Sequence, residues 1–268
     1  MLTKLWAYIV RGVRIDLTYK LTLAGRYLGQ VVYLIFLHFL GRVVESGSPT
    51  LLDNYGERYF TFLLVGGIFS QYLTASMRQL PIRVREELMM GSLESTLVTP
   101  VPTALALLGP GLWPQIEATL LLAFGLLLGG PVLGADLGNA NWVSVLVVTL
   151  LSLICLTAWG ILSVAFVVVF KRTDPVNWLI GMTINVFSGV FFPINVLPPW
   201  LRAASYLFPL TYSLQMLRAA ILEGSRVTEL GSSLWVLLIL TLVFLPLSVI
   251  ILRHAIRHAR QTGSLAHY

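Results

Sequence analysis

Long apolar runs alternate with short polar segments along most of the chain. Six runs are long enough to cross a membrane, at residues 27–44, 59–77, 103–130, 142–170, 176–192 and 234–252. A helix of about 20 apolar residues spans the roughly 30 Å of bilayer hydrocarbon. Because lipid offers the backbone no hydrogen-bond partner, runs of this length must be helices. The pattern therefore predicts an all-α integral membrane protein with six transmembrane helices.

The first 26 residues have a different pattern, with apolar side chains on one face only. These recur three or four positions apart, at Leu2, Trp6, Ile9, Val13 and Leu17. Lysines and arginines lie mostly off this stripe, which favours an amphipathic helix on the membrane surface among anionic headgroups. A helix of the same pattern packed on protein remains the alternative. Because basic residues interrupt the apolar positions, no cleavable signal peptide is expected.

Residues 193–233 follow the fifth run and are not a simple polar loop. Their middle, residues 200–222, is mostly apolar and is bracketed by prolines. Irregular backbone at membrane depth is tolerated only where it is buried in protein or lines a water-filled cavity. We therefore expect a re-entrant helical hairpin in the outer leaflet. It belongs to a single membrane domain whose parts are residues 1–26, 27–192, 193–233 and 234–268.

Composition and charge support this interpretation and orient the bundle. Of the 268 residues, 57% are hydrophobic and 11% are charged, whereas soluble domains average about 25% charged residues. The mean hydropathy is +0.83. With the N-terminus inside, thirteen of the 18 Lys and Arg residues fall in inner segments. This bias predicts a multi-pass protein with cytoplasmic termini, and the flanking charges do not indicate nucleic-acid binding. We expect its location to be a prokaryotic plasma (inner) membrane.

Motifs for nucleotide hydrolysis and intramembrane proteolysis are incomplete in the sequence. A phosphate-binding loop ends in Gly-Lys-Ser/Thr, yet Lys4, Lys20 and Lys171 do not follow a glycine. Ser188-Gly189 lacks the first glycine of a Gly-x-Ser-Gly serine-protease pattern. Glu86-Glu87 lacks the arginine of a Glu-Glu-x-x-x-Arg protease pattern. We therefore expect no catalytic site on this chain.

Metal-binding and redox chemistry are not indicated either. His254 and His258 lie four residues apart but flank Arg253 and Arg257, which is typical of the basic end of a helix. Metal sites need clustered His, Cys or carboxylate ligands. Cys155 is the single cysteine, so an intrachain disulfide is impossible. The sequence predicts no metal and no cofactor bound by this chain.

Two ionisable residues fall inside predicted spans. Ionisable groups there are costly and mark candidate functional positions. His38 lies in the first span, where a neutral, hydrogen-bonded ring is the structural alternative. Glu117 follows Pro110 and Pro114 in the third span, where it either caps freed backbone N–H groups or lies near the inner interface. A single deep carboxylate is little for an ion-driven carrier, which uses coupled charges or broken helices in paired repeats.

The loop of residues 83–100 is the most charged inner segment. Gly91 interrupts it, Ser92 suits a helix N-cap, and Pro100 ends it. A charged, capped short helix on the cytoplasmic side is suited to docking on a soluble partner. The candidate residues of this coupling segment are Arg85, Glu86, Glu87, Gly91, Ser92, Leu93, Glu94, Thr99 and Pro100.

Together with residues 188–222, this segment resembles the permease subunit of type-2 ABC exporters, the ABC-2 membrane family. The acidic residue Glu87 is followed by Gly91-Ser92-Leu93-Glu94 and then by Thr99-Pro100. This order resembles that of the family's coupling-helix region. The region after the fifth span resembles the family at Gly189, Pro193, Pro198, Trp200, Tyr206, Pro209, Tyr212 and Arg218. The amphipathic N-terminal helix and the six-span layout also agree, so the resemblance covers nearly the whole chain.

The resemblance implies a mechanism and partners. Two permease chains, identical or related, pair along a central pathway, and two cytoplasmic ATPase subunits bind the ATP and Mg²⁺. ATP-driven closure pushes on residues 83–100 and on the surface helix, and the re-entrant hairpins shape the exit. Substrates of the family include drugs, lipids and lipid-linked polysaccharides. A secondary carrier or channel without an ATPase is the alternative, and a structural subunit is a further one.

Overall fold

The computed structural model describes residues 2–47, 59–90, 103–170 and 187–261. Within these ranges the chain is helical, with nine α-helices joined by turns and three short 3₁₀ segments. The helices are α1 (Leu2–Thr18), α2 (Lys20–Gly47), α3 (Tyr59–Met89), α4 (Thr103–Leu108), α5 (Leu112–Gly129), α6 (Trp142–Phe170), α7 (Pro199–Ser205), α8 (Pro209–Leu222) and α9 (Gly231–Gln261).

Five segments of the described chain are long and apolar enough to cross a membrane. They lie at Lys20–Val44, Tyr59–Met89, Leu105–Gly129, Trp142–Phe170 and Gly231–Ala259. These confirm the all-helical membrane architecture and correspond to five of the six predicted spans. The remaining span, at residues 176–192, falls mostly outside the described residues. Its described end is a turn over residues 188–192.

Several helices extend beyond the apolar runs that predicted them. α2 begins at Lys20 rather than at residue 27, so residues 20–26 belong to the first span and not to the surface helix. α3 continues from residue 77 to Met89, and α9 continues from residue 252 to Gln261. The added turns of α3 and α9 both join an apolar cluster around the end of α6, to which they contribute Leu80, Val84 and Ala255. Packing of these apolar side chains, rather than lipid thickness, sets where the helices end.

The third predicted span is broken near its start, as its prolines suggest. α4 ends at Leu108, a 3₁₀ turn follows at Gly109–Gly111, and α5 begins at Leu112. Pro110 is in the 3₁₀ turn, while Pro114 lies in the first turn of α5. Proline is tolerated there because the first N–H groups of a helix have no intrahelical partner.

α3 is the central helix of the bundle. In its most apolar window 83% of residues are buried within the chain, against 22% for α2 and 17% for α9. It contacts α2, α5, α6 and α8. Its buried side chains include Phe62, Phe69, Leu73 and Met77, which are at most 1% exposed. α2 and α9, by contrast, present apolar side chains outward, as expected of helices that face lipid.

A close approach between α3 and α6 depends on the glycine at position 160. A Cβ atom there would lie 2.9 Å from the carbonyl oxygen of Met77, a backbone atom that has no rotamer to change. Small residues at helix crossings in membranes allow backbones to approach and pack. Gly29 on α2 offers a contrast, since no atom lies within 4 Å of its Cβ position.

We expect Gly160→Ala to destabilise the protein by about 1–3 kcal/mol, because overpacking a close contact costs that amount. Gly29→Ala is the matched control, and its better helix propensity favours stability by up to about 1 kcal/mol. Thermal unfolding of each purified variant in detergent, followed by tryptophan fluorescence, measures the difference. Equal midpoints for the two variants would contradict the close packing of α3 on α6.

Candidate functional site

An ion-pair cluster joins α1, α2 and α5 at one end of the bundle. The guanidinium of Arg26 pairs with Glu117, and its Nη1 atom lies 3.4 Å from Oδ2 of Asp16. The indole Nε1 of Trp113 donates a hydrogen bond of 2.6 Å to the same Asp16 oxygen. No side-chain cap is present at the start of α5, so Glu117 does not cap it, and the location of Glu117 near the inner interface stays a prediction. Glu117 is an acceptor within a three-helix charge cluster.

Because the Asp16 and Glu117 carboxylates are buried, each needs a close positive charge to remain ionised. The side chains of Asp16 and Glu117 are 10% and 9% exposed, and that of Arg26 is 34% exposed. Removing a charge from water costs several kcal/mol, which only a close counter-charge and further hydrogen bonds offset. The one arginine serves both carboxylates, and Trp113 supplies an additional donor to Asp16.

Two glycines let α1 pack closely against the start of α5. The side chain of Trp113 occupies the space that a Cβ atom on Gly12 would need. At Gly109, a Cβ atom would lie 2.6 Å from Cε2 of Tyr8. α1 is thus packed on protein along one face, while Trp6 and Leu17 remain exposed. The alternative prediction for the N-terminal pattern, an amphipathic helix packed on protein, therefore holds for one face of α1.

A second ion pair connects α1 with the end of α3. Nη1 of Arg11 lies 3.0 Å from Oε1 of Glu87, whose side chain is 8% exposed. Nearby, Arg83 pairs with Glu86 at 3.0 Å one turn apart on α3. Arg85 is half-buried in the same turn. The Arg11 pair brings one predicted coupling residue, Glu87, against α1, and Glu86 lines the cavity between α1 and α3. Arg85 lies in the same turn of α3, and the described residues give it no contact with α1.

The two ion pairs border a cavity of about 230 Å³ between α1, α3 and the start of α5. Burial, and then the charge of Glu87, raise the pKa of the Tyr8 hydroxyl in its wall, so Tyr8 stays neutral. The lining residues include Tyr8, Arg11, Asp16, Glu87, Met90 and Trp113. The other coupling residues, Gly91, Ser92, Leu93, Glu94, Thr99 and Pro100, lie outside the described residues.

Arg218 on α8 forms the second group of contacts, at the opposite end of α3. Its Nη1 and Nη2 atoms donate hydrogen bonds of 2.8 Å to the carbonyl oxygens of Gly189 and Val190. Its guanidinium also stacks on the ring of Phe62, 3.5 Å from the centroid. Gly189 has a φ of +69°, which glycine adopts without strain. Arg218 thereby ties α8 to α3 and to the turn of residues 188–192.

The other predicted exit residues lie around α7 and the start of α8. Pro193 and Pro198 precede a 3₁₀ turn and α7, Pro209 is the first residue of α8, and α8 is largely buried. The hydroxyl of Tyr212 donates to the carbonyl oxygen of Tyr206 at 3.0 Å. Trp200 is 71% exposed. Residues 193–233 thus contain two helices, and their insertion in the outer leaflet stays a prediction.

His38 packs within the bundle rather than in the ion-pair cluster. Its ring meets that of Phe60 edge-on, with centroids 4.9 Å apart. The Nδ1 atom is buried and has no hydrogen-bond partner in the described part of the chain.

A polar stripe on α3 was not predicted from the sequence. Between Tyr59 and Pro81 only Gln71 and Arg78 are exposed, and Thr74, Ala75 and Gln79 are half-buried. Gln71 and Arg78 are seven residues apart, which places them on one helix face about 10 Å apart along the axis. The sequence signal for this stripe is a pair of polar residues, Gln71 and Arg78, at helical spacing near the end of an apolar run. It becomes recognisable only when the structure shows that most of the remaining surface of α3 is buried.

These features belong to a known class of membrane subunit. A sequence model described as the ABC-2 type transporter family matches residues 3–222. The chain belongs to this family. Its members are transmembrane permease subunits that contain no ATPase site and work with ABC ATPase subunits.

Two curated relatives match over most of their length. Nodulation protein J of Rhizobium meliloti (strain 1021) is 27% identical over 259 residues, which cover 92% of this chain and 93% of the relative. The inner membrane transport permease YadH of Escherichia coli (strain K12) is 24% identical over 199 residues, or 72% and 74% of the two chains.

We expect Arg26→Gln to destabilise the protein because it leaves Asp16 and Glu117 buried beside each other without a cation. Breaking a fully buried pair costs about 3–5 kcal/mol, and the partial exposure of Arg26 reduces this to roughly 2–3 kcal/mol. Thermal unfolding in detergent measures the loss. Lys20→Gln, which removes an exposed cation six residues earlier, is the control.

A second substitution tests the electrostatic cause. Adding Glu117→Gln to Arg26→Gln removes one of the two buried carboxylates, so part of the lost stability should return. Equal unfolding midpoints for Arg26→Gln and Lys20→Gln would show that the cluster does not stabilise the bundle.

Proposed function

We propose that this chain is the transmembrane permease subunit of an ATP-driven exporter. Two such chains, identical or related, form a pathway for an amphipathic or lipid-linked substrate such as a drug, a lipid or a polysaccharide. Two separate ATPase subunits bind ATP and Mg²⁺ and drive alternating access outward across the plasma (inner) membrane. The observation that carries the proposal is the Arg11–Glu87 pair, which joins the surface helix to the end of α3 beside the coupling segment.

The distribution of charge supports a cytoplasmic location for this end of the bundle. The ends of α3, α6 and α9 pack together there through Val84, Val167 and Ala255. Arg83 and Arg253 extend from the same turns of α3 and α9. Excess Lys and Arg mark the cytoplasmic side of membrane proteins. Both termini are then cytoplasmic, because α1 and the end of α9 lie at this side.

The ion pairs supply a route for force. Arg11–Glu87 connects α1 to α3, and Arg26 connects α1 to α5 through Asp16 and Glu117. An ATPase that pushes on residues 83–100 therefore moves α3 directly, and α1 carries the displacement to α5. The pair at Arg11, whose side chain is 55% exposed and solvent-screened, contributes about 1 kcal/mol to stability. Its role is to keep α1 and α3 in register during the movement.

At the far end, the contacts of Arg218 support an exit role for residues 189–218. A displacement of α3 reaches α8 and the turn of residues 188–192 through the guanidinium stacked on Phe62. α7 follows that turn and exposes Trp200 beside it. Movement of α3 thus changes the surroundings of Trp200, Tyr206 and Tyr212, which form the proposed exit gate.

The charge pair at Arg11 gives a test of coupling. Arg11→Glu places a carboxylate next to Glu87, and we expect the amount of substrate moved per ATP to fall about fivefold, the factor that corresponds to about 1 kcal/mol. Adding Glu87→Arg restores the attraction and should recover coupling. Arg14→Glu, an exposed reversal one turn further along α1, is the control. Transport per ATP by Arg11→Glu equal to that of Arg14→Glu would contradict the coupling role.

The first experiment on the proposed function is purification of the tagged chain from its native membrane in mild detergent. We expect an ABC-type ATPase to co-purify in equal amount, since the two subunits form one complex. Mass spectrometry and quantitative gel staining identify the partner and its ratio. Repeated recovery without an ATPase, under conditions that preserve other such complexes, would favour the carrier or channel alternative.

A further inference from the structure

We propose that the polar stripe on α3, comprising Gln71, Thr74 and Arg78, contacts the transported substrate and selects amphiphiles with an anionic phosphate-type headgroup. This inference rests on the proposed exporter function and names its substrate class. The stripe is separate from the ion-pair cluster, because none of these three residues lines the 230 Å³ cavity between α1, α3 and α5.

The placement of the stripe rules out contact with lipid chains as its normal surroundings. Gln71 lies twelve residues after Tyr59, so it is about 18 Å along the helix and within the span. Its amide is bonded to Tyr33 yet stays exposed, and its remaining donors and acceptors would find no partner in hydrocarbon. Polar residues inside membrane spans face a bundle interior or a water-filled cavity. The exposed side of α3 therefore borders a wet pathway.

The exposed faces of the neighbouring helices α2 and α9 are apolar in their central parts, unlike the polar stripe on α3. On α2 the exposed large side chains between residues 27 and 41 are apolar, among them Leu28, Val32, Ile35 and Phe39. On α9 the polar Thr241 and Ser248 point inward and are buried. These helices have the pattern of lipid-facing surfaces. α3 has the reverse pattern, with apolar residues inward and polar residues outward.

Hydrogen-bonding groups extend from the stripe into a groove between α2, α3 and α5. Gln71 is hydrogen-bonded to Tyr33 of α2. Thr119 of α5 donates to the hydroxyl of Tyr72 at 3.3 Å. The groove encloses about 170 Å³, and Gln30, Gln71, Tyr72 and Ala75 are among its lining residues. Such a groove offers both amide and hydroxyl groups to a polar headgroup beside apolar walls.

Arg78 provides the charge preference. It is exposed two turns from Gln71 toward the cytoplasmic end, and no ion pair joins it to any residue that the structure describes. A guanidinium in this position binds phosphate oxygens with paired hydrogen bonds. A zwitterionic headgroup brings its own cation to the site, and a cationic headgroup is repelled. The stripe therefore favours an anionic headgroup entering from the inner leaflet.

Cysteine labelling tests whether the stripe is wet. We expect Gln71→Cys, in the full complex in liposomes, to react with a charged, membrane-impermeant thiol reagent. Val32→Cys is the matched control, since Val32 is 59% exposed and lies twelve residues from the start of its own helix. The native Cys155 is buried and gives little background. Ala75→Cys is a second reporter on the stripe if Gln71→Cys does not fold.

Protection from labelling tests the headgroup preference. The probes are dodecyl phosphate, dodecylphosphocholine and dodecyltrimethylammonium, which share one alkyl chain. We expect dodecyl phosphate to protect the reporter cysteine at the lowest concentration. Arg78→Gln should raise that concentration about tenfold, the loss expected for a hydrogen bond to a charged group. Arg253→Gln, an exposed arginine at the same end of α9, should leave it unchanged.

The outcomes separate the inference from the proposed function. Absence of labelling at both stripe reporters, or equal labelling at Val32→Cys, overturns the pathway assignment. Equal protection by the three headgroups, or equal effects of Arg78→Gln and Arg253→Gln, overturns the anionic preference. Both results leave the exporter function intact if the ATPase co-purifies. Failure of the proposed function is measured separately, as absence of that ATPase.

Discussion

Enclosure of α3 by four other helices is the constraint on which the rest of the molecule depends. Most of its apolar surface is buried against other helices of the chain. The few positions that remain exposed therefore do not have to be apolar, and between Tyr59 and Pro81 they are polar. The helix is also longer than the hydrocarbon layer, and both ends carry contacts. Glu87 pairs with α1 at one end, and Phe62 supports Arg218 at the other. One continuous helix therefore connects the proposed coupling residues, the polar stripe and the proposed exit residues.

The charged residues at the inner border form a linked system rather than separate contacts. Surface ion pairs contribute little to stability, but the Arg26 cluster is largely buried and must stay paired. α1 is thus held strongly to α5 and more weakly to α3. A helix attached in this unequal way transmits a displacement while allowing the weaker contact to adjust. The unequal burial of Arg26 and Arg11 is the basis for the proposal that α1 is both anchored and movable.

The sequence was sufficient for the helical membrane architecture because span length and apolarity are local properties. It was less informative about helix ends. The apolar runs stopped at charged residues such as Arg78, whereas the helix continues because Leu80 and Val84 pack against neighbouring helices. The partners of charges could not be derived from spacing, since Arg26 and Glu117 are 91 positions apart. The stripe at Gln71 was missed for the same reason, because burial of the remaining α3 surface depends on long-range contacts.

The space beside Gly66 has a consequence for how related sequences can change. The guanidinium of Arg218 and the carbonyl of Val190 occupy the volume that any side chain at position 66 would need. A larger residue at position 66 therefore removes the arginine from its carbonyl partners, and the arginine in turn prevents that larger residue. The two positions form an epistatic pair across 152 residues of chain. Because the carbonyl oxygen of Val190 fills the same volume, a change at both positions would also require the backbone at Val190 to shift.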